Sequence, residues 1–141
     1  MSPRDTFDQY VFPSLKDFEA NPFAPHRAVC VLSNIDVLAE DVWNTIGQGK
    51  SAADYRDGLR NDLIELAYAR DVHDIHKHGM LGRKNRVLPN NRRPEVVYIG
   101  GGLDAVALTL QDGNKVTALD VARKCVQWWE RKLTELGWPP S

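Results

Sequence analysis

The chain has 141 residues, is 43% hydrophobic and 26% charged, and carries a formal net charge of −1. That length fits a single domain, 1–141, large enough to bury a core without disulfides or metal. The near-zero charge gives no global field for nucleic acid or a membrane surface, and no run of about 18 apolar residues is present to cross a bilayer. The start, MSPRDTFDQYVF, lacks the apolar run of a signal peptide, so a cytoplasmic location is expected. Cys30 and Cys125 are too far apart for a CxxC motif. Both lie in predicted helices and read as reduced, buried thiols.

Residues 1–13 read as an irregular arm, followed by a short helical turn, Leu15 to Ala20, capped by Ser14. The first long helix is expected from about His26 to Ile46. Ala28, Val31, Leu32, Ile35, Leu38, Val42 and Ile46 recur at the helical period, with Asp36, Glu40, Asp41 and Asn44 facing away. A second long helix is expected from Ser51 to His78, opened by a Ser51/Asp54 capping pattern. It carries apolar residues on two sides: Tyr55, Leu59, Leu63 and Leu66 on one, Ile64, Tyr68, Val72 and Ile75 on the other. At about 100° per residue the two stripes lie half a turn apart. Residues 83–94 form a polar, basic loop. Glu95 to Ile99 and Leu103 to Leu110 read as strands around Gly100-Gly101-Gly102, and Asp112-Gly113 signals a hairpin into Lys115-Val116. The last helix starts at Thr117, with its stripe at Leu119, Ala122, Val126, Trp129, Leu133 and Leu136, and Gly137 ends it. The expected fold class is α+β. It is mainly a bundle of three long helices, with a two- or three-stranded antiparallel β-meander before the last helix.

Chemistry concentrates in Arg70-Asp71-Val72-His73-Asp74-Ile75-His76-Lys77-His78. Rotation places Arg70 near the middle of an apolar face, where an unpaired charge is expensive. Asp74, four residues on, is its expected mate. The structural reading is a network of Arg70, Asp71 and Asp74 at the end of a helix. A second reading is RNA cleavage. Arg70-Asp71, four residues and then His76 resembles the motif of HEPN domains, helical bundles that are often dimeric. Many of them are metal-independent ribonucleases or toxins. The resemblance implies catalytic roles for Arg70 and His76, with His78 beside them. An imidazole moves the 2′-hydroxyl proton and a guanidinium holds the phosphate. In a third reading, His73 and His76, one turn apart, ligate a metal. More widely, the stretch from Arg70 to Trp129 resembles small bacterial proteins of unknown function, a likeness that brings no activity.

The basic residues Lys77, Arg83, Lys84, Arg86, Arg92 and Arg93 are the candidate RNA-binding set. No aromatic residue interleaves with the loop, so base stacking is not indicated. Trp129 is expected in the core and Trp128 at a surface or interface. No cofactor is expected. The reading favoured overall is a non-catalytic interaction or scaffold protein acting as a homodimer, with RNA or a protein as partner. A ribonuclease and a metal-binding module are the alternatives.

Overall fold

A computed structural model describes residues 1–47, 49–79, 86–89, 92–98 and 104–141. The chain is helical from its third residue. The Ser2 hydroxyl accepts the Asp5 N–H at 3.2 Å, and the Asp5 carboxylate accepts the Ser2 N–H at 2.9 Å. This reciprocal pair is a capping box. α1 (Pro3–Thr6) passes through a π-helical turn, Phe7–Val11, into α2 (Phe12–Ala20). The expected irregular arm over 1–13 is therefore helix. Pro13 is accommodated there, although a proline lacks the N–H of the ladder and crowds the carbonyl four residues back. Here the ladder widens just ahead of it. The Phe12 N–H bonds the Phe7 carbonyl five residues back, and Pro13 falls in the first turn of α2. The run buries Phe7, Val11, Leu15 and Phe18.

α3 (Pro25–Ile46) is the expected first long helix, with Pro25 in its first turn. It is the centre of the molecule. α1, α2, the π turn, α4, α5 and α6 all pack on it. Its buried positions include Ala28, Val31, Leu32, Ile35, Leu38 and Val42, as the stripe predicts.

The expected second long helix is two helices, α4 (Ala52–Leu59) and α5 (Ile64–His78). Gly58 weakens the helix, and Asn61-Asp62 favour turns. The N–H groups of Asn61, Asp62 and Leu63 bond back to the carbonyls of Gly58 and Leu59, and Leu63 is extended at φ −153°. The two apolar stripes do not divide between the two helices: Leu66 of the first stripe and Val72 and Ile75 of the second are all buried on α5, which is covered on two sides as expected. Restarting the helix at Ile64 lets Leu59 of α4 and Val72 and Ile75 of α5 all enter one core.

The sheet is the expected antiparallel meander, ordered β1 (Glu95–Tyr98), β2 (Asp104–Thr109), β3 (Lys115–Thr117). Val96 faces Val106 and Leu108 faces Val116 across the ladders. The hairpin closes with the Leu110 N–H on the Asn114 carbonyl at 2.8 Å and Gly113 at φ +87°. This is a three-residue turn that needs glycine in the left-handed position. Val106, Ala107 and Leu108 are buried, and β2 and β3 pack on α6 (Ala118–Glu135). Thr117 precedes α6 without a side-chain cap, since it also ends β3. At the other end, the Trp138 N–H reaches the Leu133 carbonyl at 2.8 Å and the Gly137 N–H reaches Thr134 at 3.1 Å. That is a Schellman closure. No helix among the described residues is long and apolar enough to cross a membrane.

Candidate functional site

The C-terminal half of α5 divides its polar residues between a buried network and an open groove. Arg70 is 6% exposed. Its guanidinium pairs with Asp57 of α4 and reaches the Ala53 carbonyl at 3.4 Å, while the expected mate, Asp74, lies 4.0 Å away. Asp36 was expected on the outer face of α3 but is 4% exposed. One of its oxygens accepts from Arg56 at 2.7 Å and from His73 Nδ1 at 2.8 Å. Arg56 also reaches Glu40 at 3.2 Å. Carboxylates and cations of α3, α4 and α5 therefore bind the three helices together. Asp71, fully buried, accepts the backbone N–H groups of Val87 and Leu88 at 2.6 and 2.9 Å.

Half-buried Asp74 has its pKa raised, first by burial and then by the charge of Asp36, against the pull of Arg56, Arg70 and His73. A carboxyl whose pKa is higher folded than unfolded stabilises the fold below its unfolded value, and that contribution is lost as pH rises through the folded value. Ionised Asp74 is therefore a net burden at neutral pH. Asp74→Asn is expected to raise the urea midpoint at pH 7, with the gain shrinking as pH falls to about 4, near the ordinary aspartate range. A midpoint lowered at pH 7 would show that the Arg70 and Arg56 contacts outweigh burial.

The groove lies between α3 and α5 and holds about 540 Å³. His26 and Val29 of α3, His73 and His76 of α5, and Arg93 and Pro94 line it. No carboxylate among the described residues lines it. His73 spends Nδ1 on Asp36, which fixes its ring and leaves Nε2 as the free nitrogen. His76 is exposed. Cys30 also lines the groove and is exposed, contrary to the expected buried thiol. Cys125 is buried, and burial with the nearby charge of Glu65 pushes its thiol well up.

Among the candidates from sequence, the structure brings His73, His76 and Arg93 to one groove. Arg70 does not join them, because the buried network holds it. Lys77 and His78 are exposed and line neither the groove nor the network. Arg86, expected in a solvated loop, is half-buried; its carbonyl accepts the Gln111 amide at 3.0 Å, and Leu88 beside it is core. Arg92 is exposed and pairs with Glu95. Arg83, Lys84 and the Gly100–Gly102 break lie outside the described residues. Among the described residues, no group of three or more His, Cys, Asp or Glu is placed to hold a metal ion. Sequence reasoning missed His26, Asp36, Arg56 and Asp57, which meet α5 only through tertiary packing. Trp129 is core, as expected, and Trp128 is half-buried with Lys132 over its ring.

No family model, curated protein or solved structure matches the chain.

Proposed function

We propose that the protein is a non-catalytic, cytoplasmic interaction protein that works as a homodimer. One observation supports this reading most. The dense polar segment on α5 is largely structural, since Arg70 pairs with α4, His73 with α3 and Asp71 with the 87–88 segment. The surface offers material for an interface: Tyr10, Phe12 and Phe23 are exposed aromatics, and Val37 of α3 is exposed as well. Aromatic side chains left at the surface are enriched where proteins meet. Light scattering coupled to size exclusion is expected to give the mass of two chains, and Phe12→Glu to give one. A wild-type protein of monomeric mass at every concentration tested would remove the homodimer from the proposal.

A second reading rests on the groove. Two imidazoles and a guanidinium lining one groove are the equipment of metal-independent RNA cleavage, with His76 moving a proton and Arg93 on the phosphate. Arg93 would replace Arg70 in that role. RNA cut in the presence of a chelator by wild type, and not by a folded His76→Ala variant, would favour the enzyme over the interaction protein. Uncut RNA would leave the interaction reading in place.

A further inference from the structure

We infer that the α3–α5 groove binds a small organic phosphate monoester, its phosphate held by Arg93, His76 and His26 and its body laid on Val29 and Pro25. The inference rests on reading the protein as one that binds rather than catalyses, and it names the chemistry of the ligand. The size is right, because pockets for small organic molecules span roughly 300–1,000 Å³ and this one holds about 540 Å³.

The sign of the charge is also right. Arg93 is a permanent cation, three imidazoles line the same groove, and no carboxylate among the described residues lines it. The acid behind the wall, Asp36, has a side chain only 3% exposed and is already paired with Arg56 and His73. The donors come from three separate stretches of chain, at His26 on α3, His76 on α5 and Arg93. Donors converging from three directions suit a tetrahedral group with three terminal oxygens. A planar carboxylate is satisfied by one guanidinium in bidentate contact.

The remaining wall sets the other half of the ligand. Val29 and Pro25, both half-buried, offer apolar surface that inorganic phosphate leaves uncovered and a hydrocarbon body buries. The site is also built on stiff parts. Two walls are helices, and the ring of His73 is fixed by Asp36 at 2.8 Å, so little order is lost on binding.

Phenyl phosphate is the probe, titrated into the full chain and followed by amide NMR shifts. Saturable shifts are expected at residues 26–34 and 73–76. Inorganic phosphate, benzyl alcohol and benzoate are each expected to bind at least about tenfold more weakly, a gap of about 1.4 kcal/mol. Arg93→Gln and His76→Gln, both at exposed positions, are each expected to weaken phenyl phosphate about tenfold. Lys115→Gln, on the sheet, leaves it unchanged. Benzyl alcohol binding as tightly as phenyl phosphate would make the groove merely apolar and overturn the inference. Benzoate binding more tightly, unaltered affinity in the two variants, or no saturable shift would also overturn it. Light scattering reads the homodimer separately. Binding by a monomer fails the assembly reading alone, and a dimer that binds no phenyl phosphate fails the groove alone.

Discussion

Asp36→Ala is expected to remove about 3–5 kcal/mol of stability, the range for breaking a buried ion pair by deleting one partner. The carboxylate is nearly sealed from water and serves two donors through one oxygen, Arg56 at 2.7 Å and His73 Nδ1 at 2.8 Å. Deleting it leaves a guanidinium whose side chain is only 13% exposed, with Glu40 at 3.2 Å as its remaining carboxylate. Urea unfolding at pH 7, followed by tryptophan fluorescence, measures the loss. The double variant Asp36→Ala/Arg56→Leu is expected to recover part of it, because removing both partners leaves no stranded charge. A single-variant loss below about 1 kcal/mol would mean that the network is spread too widely for Asp36 to anchor it.

Asp36 also marks where the sequence stopped being readable. The stripes of α3 and α6 could be found because burial on one face of a helix imposes a period on the chain itself. The meander could be found because strand pairing across Asp112-Gly113 is local. Asp36 sits among residues expected to face away, and partners far along the chain, Arg56 and His73, make its burial tolerable. No period encodes that choice. The two covered faces do belong to α5, whereas the α4–α5 break at 60–63 left no mark on the apolar period and was signalled only by Gly58 and Asn61-Asp62. The N-terminal helix, expected as an irregular arm, depends on a ladder that widens at Phe7–Val11 to admit Pro13, which no local period announces. The groove was half visible. His73, His76 and Arg93 stood out as types, yet Arg70, which helical rotation already put on an apolar face, was joined to His76 by a motif resemblance and not by a shared exposed surface. His26 gave no signal, since a histidine in the first turn of a helix is commonplace until another element comes to face it.

Asp71→Ala tests how the groove is assembled, because Asp71 ties the 87–88 segment to α5. Its carboxylate is fully buried and accepts two backbone N–H groups, from Val87 and Leu88. Alanine leaves both donors without that acceptor, at about 1–3 kcal/mol each, so a loss of about 2–4 kcal/mol is expected in urea unfolding. The distribution of the loss is the sharper readout. Leu88 is 1% exposed and part of the core cluster, so the segment keeps its apolar anchor while losing its polar one. Hydrogen exchange is expected to speed at the Val87 and Leu88 amides with little change in the middle of α6, a local opening below the global unfolding energy. Arg93 follows that segment closely in the chain and is one of the groove's cationic donors. Loosening at 87–88 is therefore expected to weaken phenyl phosphate more than it weakens benzyl alcohol, which makes no demand on a guanidinium. Equal weakening of both would place the effect on the helix walls. Faster exchange throughout α6 would show that Asp71 supports the whole core rather than the segment it caps.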